Sequence, residues 1–162
     1  MQEKIRILMV CHGNICRSPM AEFVMKELVK EKGVEEAFEI ASAATSAEEL
    51  GNPVYPPAKK ELEKHGVRPS PAKKARRVRK EDFEEYDFLI GMDEENVWNL
   101  ERMAGNHRDK VYKLLDFTPE GGEVADPWYT RNFEAAYRDI ERGCHAFMEY
   151  LEKEGKVSCR RH

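Results

Sequence analysis

Cysteine and histidine are scarce in this chain of 162 residues, four of the first and five of the second, and neither falls in a metal-binding pattern. Cys11 and Cys16 are separated by four residues, but no second Cys or His pair stands at zinc-site spacing, so no metal ligand set is expected. Four cysteines could form two disulfides. The short amino-terminal apolar run, however, lacks the small-residue cleavage site of a secretory signal. Cys11, Cys16, Cys144 and Cys159 are therefore expected to be reduced thiols of a cytoplasmic protein. No apolar stretch approaches the roughly 20 residues that a membrane-spanning helix needs, so no membrane partner is expected. Positive charge is not in excess either: 27 Lys and Arg against 31 Asp and Glu leave a net charge of −4, which argues against a general nucleic-acid binder.

Apolar residues, 41% of the chain and spread along it, are enough for one domain with its own core. That domain is expected over residues 1–151, with 152–162 as a flexible tail. Lys4 to Val10 is short, nearly continuous in apolar character and rich in β-branched residues, the pattern of a strand buried on both faces of a parallel sheet. Ser18 reads as a helix cap and Pro19 as a first helical residue, with Ala21, Val24, Met25 and Leu28 at helical spacing up to Lys32-Gly33. Phe38 to Ala43 reads as a second strand, and Ala58 to His65 as a second helix. Tyr86 to Gly91 reads as a third strand, followed by a helix capped by Asp93 and running toward Met103. Lys110 to Leu115 gives a fourth strand, and a last helix runs from Arg131 or Asn132 to Leu151 with one apolar stripe. Strands alternating with helices predict an α/β fold with a parallel sheet and crossover helices.

The loop Cys11-His12-Gly13-Asn14-Ile15-Cys16-Arg17-Ser18 joins the first strand to the first helix. Amides of such a turn and of a helix's first turn converge on one point, which makes the loop an anion site. Gly13 and Asn14 are residue types that readily take positive φ. Arg17 offers a planar fork to two phosphate oxygens. The same field favours the thiolate of Cys11 over the thiol, so Cys11 is the expected nucleophile.

The string Val-Cys-His-Gly-Asn-Ile-Cys-Arg-Ser-Pro, residues 10–19, closely resembles the active-site loop of the low-molecular-weight protein tyrosine phosphatases. The resemblance runs from about Lys4 to Tyr150. It implies a single-domain three-layer sandwich, a four-stranded parallel sheet flanked by helices, with a phosphate-binding loop after the first strand. It also implies hydrolysis of phosphotyrosine and small aryl phosphates through a cysteinyl phosphate, with no cofactor. The partners would be a phosphotyrosine-containing protein and an oxyanion such as inorganic phosphate in the loop.

Phosphoryl transfer to sulfur releases a poor leaving group unless it is protonated, so an acid is needed near the loop. Val124-Ala125-Asp126-Pro127-Trp128-Tyr129 supplies one. Read alone, Asp126-Pro127 is a turn start; its match to the family's acid-bearing Asp-Pro-aromatic pattern assigns Asp126 the proton. Pro127 forces Asp126 into an extended shape, and Trp128 and Tyr129 offer an aromatic wall. Ser18 is expected to donate a hydrogen bond to the departing Cys11 sulfur, His12 to shape the rim, and Asn14 to shape the loop. Cys16 either packs beneath the loop or forms a reversible disulfide with oxidised Cys11, and the resemblance implies the second. Ile15, before the second loop cysteine, is typical of tyrosine-directed members, whereas Thr there marks protein-arginine phosphatases.

Lys73, Lys74, Arg76, Arg77, Arg79 and Lys80 form a basic run followed at once by acidic residues. It is either a solvated surface or a rim that steers phosphorylated substrates. The loop after the second strand, Ser46 to Leu50, carries Glu48 and Glu49 where many members have Trp or Tyr, an acidic pair that disfavours acidic phosphopeptides. A protein-arginine phosphatase and a non-catalytic phosphate-binding module remain as other readings. A related arsenate reductase would need a mid-chain redox cysteine pair, and none is present.

Overall fold

The computed structural model describes residues 4–158. Four strands, β1 (Ile5–Cys11), β2 (Phe38–Ala44), β3 (Phe88–Gly91) and β4 (Val111–Lys113), form one parallel sheet in the order β2-β1-β3-β4. β1 lies inside, paired on both edges. Its alternate residues explain its unbroken apolar run: Ile7 and Met9 join the core on one face, Leu8 and Val10 the core on the other, and all four are fully buried.

Among the described residues there are six α-helices, five of which flank the sheet. On one face α1 (Arg17–Glu31), α2 (Pro56–Lys64) and α6 (Phe133–Lys153) bury Met20, Val24, Leu28, Leu62, Ile140 and Phe147. On the other, α3 (Lys80–Glu85) and α4 (Glu94–Ala104) bury Phe83, Leu100 and Ala104. A one-turn helix, α5 (Pro127–Thr130), precedes α6. The result is the expected three-layer α/β sandwich.

Boundaries differ from expectation where side chains are used in other ways. α1 begins at Arg17 with Cys16 in the cap position, so Ser18 does not cap it; its hydroxyl is turned to Cys11 instead. Pro19 therefore sits third in the helix, still within the turn whose N–H groups lack intrahelical partners. α3 interrupts what reads as a plain charge run, because Arg79 N–H donates to the Asp82 carboxylate at 2.8 Å and the turn buries Phe83. β4 is shorter than expected, since Leu114–Phe117 tighten into a 3-10 turn. α6 runs two residues beyond Leu151 to Lys153, and Val157 packs against the core. The end of the expected tail, residues 159–162 with Cys159, lies outside the described residues. Among the described residues no helix is long and apolar enough to cross a membrane.

Two features place the site. β1 ends at Cys11 beside the start of α1, and β3 ends at Gly91 beside the start of α4. A Cβ on Gly91 would stand 2.9 Å from the Asn96 Cβ and 3.1 Å from the Val97 nitrogen, so the missing side chain lets α4 start tight against the strand end.

Candidate active site

The Cys11 sulfur is the focus of the loop. It accepts hydrogen bonds from the backbone N–H of Asn14 at 3.3 Å and of Ser18 at 3.4 Å, and the Ser18 Oγ lies 3.0 Å away. The direction of that last bond follows from its neighbours. The Asn14 side-chain oxygen accepts from the Arg76 backbone N–H at 3.3 Å, which fixes the amide's orientation. Asn14 Nδ2 then donates to Ser18 Oγ at 2.7 Å, so the serine's own hydrogen faces two acceptors, the Cys11 sulfur at 3.0 Å and, farther off, the Ala43 carbonyl at 3.5 Å. Three donors therefore converge on one sulfur.

Asn14 holds the turn at φ 59°, in the left-handed region expected of it. Gly13 does not take positive φ, contrary to expectation. A Cβ there would crowd the Glu49 Cγ at 3.2 Å.

Arg17 is nearly fully buried at the start of α1. Its Nη1 donates to Asp93 Oδ2 at 2.8 Å and to the Val124 carbonyl at 3.0 Å, and its Nη2 reaches Asp126 Oδ2 at 3.5 Å. Burial works against the charge, but Cys11, Asp93 and Asp126 outweigh it and hold the guanidinium above its ordinary range. Asp93 was expected only as a helix cap. It caps α4, accepting from Asn96 N–H at 2.8 Å, and with its other oxygen fixes the arginine.

Asp126 stands across the cleft at the start of α5. Its backbone is extended before Pro127, as a residue preceding proline should be. Its Oδ1 accepts from the Trp128 N–H at 3.0 Å, leaving Oδ2 toward Arg17. Trp128 leans on Tyr55 with ring centroids 5.3 Å apart, and Tyr55 leans on Phe133 at 6.0 Å. Tyr129 is 82% exposed beside it.

Cys11, His12, Gly13, Ile15, Cys16, Arg17, Asp126, Trp128 and Tyr129 line one cleft of about 640 Å³. The structure therefore brings the sequence-derived site residues together, with Asn14 and Ser18 bracing the loop behind. Sequence reasoning missed Glu95 on the cleft wall, Tyr55 behind Trp128, and the Val124 carbonyl on Arg17. None of these carries a local motif, since each is defined by what the fold places beside it.

Cys16 caps α1, buried against Ile15 and Ala75. Burial first, then the charge of Cys11, pushes its thiol up to about 12, so it stays protonated at neutral pH.

The basic run does not line the cleft. Lys73 Nζ donates to the Ser42 carbonyl at 2.9 Å beside the buried Glu22, Arg76 is bidentate on Asp82 at 2.9 and 3.2 Å, and Arg77 Nε donates to the Thr45 carbonyl at 3.2 Å. These cations close the fold behind the loop. The cleft wall is acidic instead, with Glu48, Glu49, Asp93, Glu95 and Asp126 around it, and His12 paired to Glu48 at 2.9 Å.

A thiol ringed by donors at a strand end, a buried guanidinium beside it and a carboxyl opposite, on a four-stranded parallel sheet, make up the site of the cysteine-dependent phosphatases. The model of the low molecular weight phosphotyrosine protein phosphatase family matches residues 6–157, and the chain belongs to that family. It is 36% identical over 156 residues to the low molecular weight protein-tyrosine-phosphatase YfkJ of Bacillus subtilis, covering 94% of this chain and 99% of that one. It is 39% identical over 149 residues to the low molecular weight phosphotyrosine protein phosphatase of Gallus gallus, covering 88% and 93%. The crystal structure of YfkJ matches with a TM-score of 0.89 at 36% identity, over 94% of this chain and 98% of that one.

Proposed function

We propose that this chain hydrolyses phosphotyrosine in proteins, and small aryl phosphates, through a cysteinyl phosphate on Cys11. The observation that carries the reading is the convergence of three donors on the Cys11 sulfur, with Arg17 and Asp126 lining the same cleft.

In the first step the Cys11 sulfur attacks phosphorus in line. The P–O bond to the phenol breaks, and Asp126 gives its proton to the departing oxygen. Loop amides and Arg17 take the charge of the equatorial oxygens. In the second step Asp126 accepts a proton from water as the water oxygen bonds phosphorus and the P–S bond breaks. Ser18 donates its hydrogen bond to the leaving sulfur. Trp128 and Tyr129 flank the phenyl ring, and Ile15 supports the tyrosine-directed over the arginine-directed reading. Cys16 acts as redox partner of Cys11, a role supported by the shared cleft. The free thiols Cys11, Cys16 and Cys144 suit a reducing cytoplasm.

Rates on phosphotyrosine and phosphoarginine peptides, measured side by side, test the reading. Cys11→Ser is expected to lose nearly all turnover. Asp126→Ala is expected to drop about two to three orders of magnitude on esters with poor leaving groups and far less on activated ones. Faster turnover of phosphoarginine would transfer the chain to the arginine-directed class, and phosphate binding with no turnover would leave only a binding module.

A further inference from the structure

The loop before Asp126 is tied down at three successive residues. Glu123 Oε2 accepts the backbone N–H of Glu94, the first residue of α4, at 2.7 Å. Val124 is buried, its N–H donates to the Met92 carbonyl at 3.0 Å, and its carbonyl receives Arg17 Nη1 at 3.0 Å. The Ala125 N–H donates to Asp139 Oδ2 on α6 at 3.4 Å.

The α4 end of this arrangement is shared. Asp93 holds Arg17 at 2.8 Å while capping α4, and Glu123 holds the loop of Asp126 through the next residue of the same helix. Two carboxylates therefore meet at one helix start, where N–H groups without intrahelical partners favour negative charge: one is bound to the guanidinium of the site and the other belongs to the loop that carries its carboxyl. Arg17 Nη2 and Asp126 Oδ2 stand 3.5 Å apart. Glu123 does not itself line the cleft; its carboxylate reaches the site only through the peptide between Asp93 and Glu94 and through its own loop.

We propose that Glu123 is a positioning residue for Asp126: its bond to the start of α4 sets where the acid stands over the leaving oxygen. The proposal rests on the reading of Asp126 as the acid given above.

Glu123→Ala and Glu123→Gln, each in the whole chain, separate this role from plain folding. The quantities to read are kcat/KM across aryl phosphates of graded leaving-group acidity and the inhibition constant of inorganic phosphate. Glu123→Ala is expected to lose about ten-fold on phenyl phosphate and less than about two-fold on an activated dinitrophenyl ester, because a displaced acid matters only where a proton is needed. Phosphate inhibition should move less than about two-fold, since Asp93 keeps its own bonds to the Asn96 N–H and to Arg17 in the variant. Glu123→Gln keeps an acceptor oxygen and should recover most of the loss. Added to Asp126→Ala, Glu123→Ala should cost nothing more. An equal loss on every ester, a phosphate constant weakened beyond that margin, or a full further loss on top of Asp126→Ala would overturn the positioning role. If Asp126→Ala itself showed no leaving-group dependence, the acid assignment would fail instead.

Discussion

At the scale of single residues, the loop is ordered by a chain of hydrogen bonds that ends on the Cys11 sulfur. Asn14 illustrates this: its oxygen takes the Arg76 N–H, its nitrogen feeds Ser18, and Ser18 is left to serve Cys11. Asp93 does the same for Arg17, and a neutral replacement isolates its charge. Asp93→Asn keeps a good helix cap but takes a carboxylate away from the buried guanidinium, so unfolding free energy should fall by about 1–3 kcal/mol and kcat/KM about ten-fold as the arginine loses its ionic anchor; urea melts and steady-state kinetics on one preparation check both. The thiol of Cys16 makes a pH prediction. Burial raises it from 9.0 to about 12 in the folded protein. Below the unfolded value both states are protonated and the contribution is complete; above it the unfolded chain ionises first, so stability should fall as pH rises from about 9 toward 12. Cys16→Ala should show a shallower decline than the parent in denaturant titrations across that range.

At the scale of elements, legibility followed the source of the signal. β1 was readable because burial on both faces leaves no polar position from Ile7 to Val10, and the loop was readable because its residue types are those that an amide-lined turn needs. The start of α1 was misread at Ser18, whose hydroxyl serves the sulfur through contacts that spacing does not encode. α3 was missed because its six residues carry one apolar anchor, Phe83, too few for a helical period. The basic run left two readings open, and its fate is set by long-range contacts: Glu22, Ser42, Thr45 and Asp82 take up Lys73, Arg76 and Arg77, while Lys74, Arg79 and Lys80 stay exposed away from the cleft lining. Glu48, Glu49 and Glu95 are left around the cleft. Phosphotyrosine peptides flanked by Asp or Glu should therefore be poorer substrates than Lys-flanked ones by about three- to ten-fold in kcat/KM. The gap should narrow with added salt and shrink in Glu48→Gln/Glu49→Gln; equal rates on both peptides at low salt would refute it.

At the scale of the molecule, one central strand joins two cores, and its end carries Cys11, the proposed nucleophile. Leu8 is fully buried on one face of the sheet, whereas Trp98 on α4 is 58% exposed. Leu8→Ala should cost about 3 kcal/mol of unfolding free energy, and Trp98→Ala should stay within about 0.5 kcal/mol, as read from urea midpoints. The parallel sheet with its crossover helices was legible in the alternation of strand and helix, and the resemblance implied the three layers and the meeting of Cys11 with Asp126; the arrival of the β3 end, with Asp93 on Arg17, was not legible, because sheet order is set by pairing between strands distant in sequence. The account stands on covalent passage of phosphate through Cys11. Acid quenching of turnover on p-nitrophenyl phosphate, followed by peptide mass spectrometry, tests it most directly. Phosphate should be found on Cys11 in the parent and on no residue in Cys11→Ser; turnover that persists in Cys11→Ser, or phosphate on another side chain, would contradict it.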